Sequence, residues 1–142
     1  MHSSLPELAR GKTISSVNLY YKYDGDAERL LRDFGRVATG SPNTIDLGIN
    51  ESKFLRLSAT ADCCSVSWFE LGEQPLESII DKTISTIDID SHIEMSPSEK
   101  QEYDSNLPVT ITFKDDSRYI LLLRNSSNGY YCGWLNMELV TN

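Results

Sequence analysis

The sequence predicts an α+β domain, mostly antiparallel β-sheet with two or three short helices, and three observations predict it. Residues 12–23, 53–61 and 107–113 alternate apolar and polar side chains at the strand period of two. Turn residues such as Asp24-Gly25-Asp26, Gly40-Ser41-Pro42-Asn43 and Asn128-Gly129 punctuate the chain at short intervals. Helix signals are confined to three brief stretches. With 142 residues and no linker or repeat, one domain spanning 1–142 is expected, large enough to bury a core without a metal or disulfide framework.

Taken in order, residues 4–11 carry a Ser cap, Pro6 just inside the start, Glu7 in the first turn and Gly11 past the end, which predicts one or two helical turns. In the strand over 12–23, Val17, Leu19 and Tyr21 form the better core face, with Ile14 dissenting from the opposite one. Apolar residues at 27, 30, 31 and 34 match a short amphipathic helix capped by Asp26, its charged residues forming a solvated face. Residues 44–48 read as a short edge strand. Residues 53–61 read as a half-buried strand with Leu55, Leu57 and Ala59 inward and Phe54, Arg56 and Ser58 outward. A strand through 62–71 follows, then a short helix over 75–80 and a strand over 82–90. Residues 91–106 are polar and acidic and read as a mobile loop. The strand over 107–113, the return over 118–124 and a last strand over 130–140 after the Asn-Gly turn predict a C-terminal three-strand antiparallel meander.

The formal net charge of −8 argues against a DNA- or RNA-coating surface, which needs many cations against phosphates. The opening residues lack the basic start and apolar run of a signal peptide, and no run reaches transmembrane length, so a soluble protein without membrane attachment is expected. The three cysteines, Cys63, Cys64 and Cys132, fit reduced thiols in a cytoplasm. They lack the Cys or His spacing of a zinc site and read as small core residues, with a redox role as the other reading. No metal and no cofactor is expected. The histidines, His2 and His92, have no local catalytic context, although a Cys63 or Cys64 pairing with His92 stays open. No phosphate-cradling glycine loop is present. Binding is therefore favoured over catalysis.

The surplus chemistry lies around residues 121–134. An apolar strand delivers Arg124 and Asn125 to a polar turn containing Asn128, and Tyr130, Tyr131 and Trp134 follow. A planar donor fork, amides and flat aromatic faces suit an aromatic anion such as a nucleotide. The other reading is a tight hairpin whose tyrosines pack on neighbouring strands. Arg118 and Arg124 share one side of their strand about 20 Å apart, too far for one small ligand. In an oligomer, Arg118 of one subunit could join Arg124 or Arg56 of another. Trp68 and Phe69 could add stacking, with core packing as the alternative role for each. Arg124, Asn125 and Tyr130 are the leading contacts.

Three motifs carry a resemblance: Gly-Lys-Thr-Ile at 11–14, Asp-Cys-Cys-Ser at 62–65 and Ser-Asn-Gly-Tyr-Tyr at 127–131. Together they resemble a small phage-borne domain whose best understood branch is the first family of anti-Thoeris sponge proteins. The resemblance implies a homo-oligomer, a dimer or hexamer, that sequesters cyclic ADP-ribose isomers or cyclic di- and trinucleotides without cleaving them, in the cytoplasm of an infected bacterial host. Residues 24–52 look longer than that pattern, and Cys132 stands where a glycine is usual. A protein-binding inhibitor using Trp68, Tyr130 and Trp134 as a hot spot, with the acidic 91–106 stretch mimicking an anionic partner, is the alternative. A nucleotide-cleaving enzyme is a third reading.

Overall fold

A computed structural model describes residues 2–4, 6–21, 42–61, 66–90, 94–96, 103–127 and 133–141. In chain order the strands are β1 (His2–Ser4), β2 (Ser16–Tyr20), β3 (Thr44–Asn50), β4 (Lys53–Ala61), β5 (Val66–Glu70), β6 (Ile84–Asp90), β7 (Glu94–Ser96), β8 (Tyr103–Phe113), β9 (Arg118–Ser127) and β10 (Gly133–Thr141). They form two antiparallel sheets. The first runs β1-β6-β8-β9-β5, with β7 also paired to β8, and the second runs β10-β4-β3-β2. The expectation of two or three helices is corrected: among the described residues helix amounts to α1 (Pro6–Ala9) and one 3-10 turn, Leu76–Ile79. Gly11, at φ +78°, ends the first, and the extended Ile80 ends the second. The helix expected over 27–34 lies outside the described residues.

The inner faces of the two sheets share one core. Ile45, Leu47, Leu55 and Leu57 from the second sheet meet Phe69, Ile87, Val109, Ile111, Leu121 and Leu123 from the first, all nearly or fully buried. Fully burying each such side chain is worth about 1.5–3 kcal/mol. Alternation on β2, β4 and β9 places the inward residues as the sequence predicts, except that Tyr21, expected on the core face with Val17 and Leu19, lies beyond the end of β2 and is exposed.

Several expectations about position are corrected. β3 is an interior strand, paired with β2 on one side and β4 on the other, rather than an edge. The acidic stretch is partly strand, since β7 pairs with residues 104–106 of β8. The C-terminal meander stops at two strands: β8 and β9 pair over ten positions, but β10 pairs with β4 in the other sheet. The amphipathic alternation of β10 suits any half-buried sheet position, so it carries no record of which sheet it joins. Ile14 belongs to no strand; it is fully buried beside the isolated bridge Thr13–Thr83, its N–H bonded to the Lys82 carbonyl. In β6 the register shifts between Ile84 and Thr86, which turns both Ile84 and Ile87 inward although strict alternation opposes them. Pro108, which has no N–H to give, falls in the gap on β8 between the pairing of β7 and that of β6.

Candidate functional site

The residues singled out in the sequence do not converge. Among them, Arg118, Trp68 and Arg124 lie on the outer side of the first sheet, Arg56 and Trp134 on the outer side of the second, and Phe69 and Asn125 between the sheets. Asn128 and Tyr130 lie outside the described residues, as do Cys63, Cys64, Cys132 and His92.

On the first sheet, Trp68 of β5 stands opposite Arg124 of β9, and Arg124 opposite Asn106 of β8. The guanidinium carbon sits 5.4 Å from the Trp68 ring centre, and Nη1 donates to Glu70 Oε1. Trp68 is fully buried yet outside the core between the sheets. Its Nε1 and the Oδ1 of Asn106 are buried without hydrogen-bond partners among the described residues. Arg124 is mostly covered, whereas the Glu70 side chain is 43% exposed. Its chain neighbour Asn125 faces the opposite way, donating from Nδ2 to Ser67 Oγ at 2.9 Å within the buried interior. The alternation of a strand thus separates two residues that are adjacent in sequence. Arg118, at the far end of β9, is exposed.

On the second sheet, strand register builds a more open arrangement. Arg56 of β4 stands between Asp46 of β3 and Glu138 of β10, and one row further along Ser58 and Thr44 continue to Tyr20 of β2. Tyr20, Thr44, Arg56, Ser58 and Glu138 line a shallow, open depression of about 430 Å³. Arg56 is held from two directions. Nε donates to Asp46 Oδ1 at 2.9 Å and Nη2 to Asp46 Oδ2 at 3.0 Å, and the guanidinium carbon lies 5.1 Å from the Phe54 ring centre. The hydrogen bonds to Asp46, with Asp46 and Glu138 as neighbouring charges, raise its pKa above the ordinary arginine value. Nη1 has no acceptor among the described residues, and Arg56, about one-third exposed, is one of the residues lining the depression. Tyr20, about half exposed, supplies a flat aromatic face, while Thr44 and Ser58 supply hydroxyls.

Sequence reasoning found Arg56 but missed Tyr20, Thr44, Asp46, Ser58 and Glu138 as its neighbours. The usable signal was Asp46, a carboxylate set directly between the apolar Ile45 and Leu47. Its pairing with Arg56 depends on register, which no local pattern gives. Trp134, 45% exposed on the same outer face, has its carbonyl bonded by Thr60 Oγ1 at 2.9 Å. No group of three or more His, Cys, Asp or Glu suited to a metal occurs among the described residues. Among them, too, no helix is long and apolar enough to cross a membrane.

A family model described as a domain of unknown function, DUF7448, matches residues 7–136. The uncharacterized protein L278 of Acanthamoeba polyphaga mimivirus is 46% identical over 87 residues, which is 61% of this chain and 69% of that protein. No solved structure matches.

Proposed function

We propose that this chain, which belongs to the DUF7448 family of unknown function, is a non-catalytic binding protein that captures a cyclic nucleotide signal, of the cyclic ADP-ribose or cyclic oligonucleotide kind, on the outer face of its second sheet. The observation that carries the reading is the fixed Arg56 guanidinium opening onto a 430 Å³ depression. Arg56 contacts one phosphate through Nη1, Tyr20 stacks on the base, and Thr44, Ser58 and Glu138 take up sugar hydroxyls. Asp46 and Glu138 bring two negative charges to one positive, so the site favours a ligand with few phosphates over a free polyphosphate. Mass action completes the role: a protein in excess of the signal, binding it more tightly than the receptor does, keeps the receptor empty. The mimivirus relative supports a viral setting, and the motif resemblance to phage sponges supports immune evasion as the role within it.

The test is to incubate the protein with cyclic ADP-ribose isomers and cyclic di- and trinucleotides, remove unbound ligand, denature by heat and identify what is released. Intact ligand supports capture. An altered ligand points to an enzyme, and no retention removes the reading. The exposed Trp134 favours a second reading, a protein-binding module with this residue as its anchor; that reading predicts no retained nucleotide.

A further inference from the structure

We propose that the outer edge of β10 pairs with β10 of a second copy of this chain, antiparallel and in one register, with the two-fold axis at Met137. The sheet edges differ in how they are protected, and β7, with three residues, is as short as β1. β1 has three residues and β2 five, and short edges template poorly. β5 is buried at Ser67, Trp68 and Phe69, and the Phe69 N–H is already bonded to the Pro42 carbonyl at 2.8 Å. β10 is different: it runs nine residues, is paired only to β4 among the described residues, and contains neither lysine nor proline, its one charge being Glu138. Its inward residues Leu135, Met137 and Leu139 are only half buried, so the core is left thin along this rim.

The occupant follows from the strand's own sequence. With the axis at Met137, Leu135 meets Leu139 of the partner subunit and Met137 meets its own copy, which extends the core face without a break. On the outer face Trp134 meets Val140 of the partner subunit, an aromatic against a β-branched residue, and Asn136 meets Glu138 of the partner subunit. No like charges stand opposite. Moving the axis to Glu138 sets the two carboxylates against each other, and moving it to Asn136 leaves residues 140 and 141 without partners in β10. A half-step shift turns one copy's inward residues outward. One register satisfies both faces along all nine positions.

Sedimentation velocity of the full chain without ligand tests this, together with two substitutions at the exposed Asn136. The wild type is expected to sediment as a dimer. Asn136→Glu puts two like-charge pairs across the axis and is expected to weaken the dimer about tenfold or more, whereas Asn136→Lys faces Glu138 and is expected to hold or tighten it. Both variants should keep the wild-type circular dichroism spectrum. A monomeric wild type overturns the proposal and leaves the edge to an extended segment of another protein. Equal effects of the two substitutions overturn the register. Because no ligand is present, neither outcome bears on nucleotide capture.

Discussion

Arg56 and Asp46 form a two-pronged ion pair across adjacent strands, with the carboxylate nearly buried and the guanidinium about one-third exposed. The pair is asymmetric, and so are the consequences of breaking it. Arg56→Met strands a buried carboxylate and is expected to cost about 3–5 kcal/mol. Asp46→Asn leaves a cation that water can reach and is expected to cost about 1–3 kcal/mol. The double variant removes both charges and should be more stable than Arg56→Met alone. Urea unfolding of the three variants gives these differences.

Arg124 is held differently, its guanidinium carbon 5.4 Å from the centre of a buried ring and its carboxylate partner partly exposed. Arg124→Met keeps a long side chain against Trp68 and lets Glu70 return to water. Its expected cost is under about 1.5 kcal/mol, and ligand retention should match the wild type. Loss of retention in this variant would move the site to the first sheet.

Tyr119 ties the first sheet to the segment after β5. Its hydroxyl donates to the Gln74 carbonyl at 2.8 Å and accepts from the Gly72 N–H at 3.1 Å, and burial pushes its pKa above the ordinary tyrosine value. The folded state therefore favours the protonated phenol. That contribution is complete below the ordinary tyrosine range and fades as pH rises through the higher folded value. Tyr119→Phe is expected to be about 1–2 kcal/mol less stable at neutral pH and to lose less stability between neutral and alkaline pH. Equal alkaline losses in both proteins would contradict this role.

In the β8–β9 turn the sign reverses. The Ser117 hydroxyl, and after it Lys82, hold the Asp115 carboxyl far below its usual range. Its contribution is present above the ordinary aspartate range and disappears as pH falls through the depressed folded value. Asp115→Asn should flatten the acid limb of the melting temperature against pH while leaving the alkaline limb unchanged. An acid limb as steep as the wild type's would exclude it.

The parts of this architecture that were legible in the sequence are those set by a single strand. Leu55, Leu57 and Ala59 against Phe54, Arg56 and Ser58 fix both faces of β4, and Arg118 and Arg124 share the outer side of β9 as alternation requires. What depends on two strands was not legible. The Asp46–Arg56 pair is ten residues apart in sequence, and the Trp68–Arg124 pair is fifty-six apart, so register decides each. The crossing of β10 to the second sheet was hidden for the same reason, and with it the position of Glu138 beside Arg56. The shift in β6 broke alternation outright, which is why Ile84 and Ile87 face the same core.

The proposed capture depends above all on Arg56 as the anchor of an intact nucleotide ligand. The direct measurement is mass spectrometry of the ligand released by heat from wild type and from the Arg56→Met/Asp46→Asn double variant, each first shown to be folded. Unmodified cyclic nucleotide is expected from the wild type and at least about tenfold less from the double variant, the loss expected when one charge-assisted hydrogen bond worth roughly 1.5–3 kcal/mol is removed. Equal release from both proteins would contradict it.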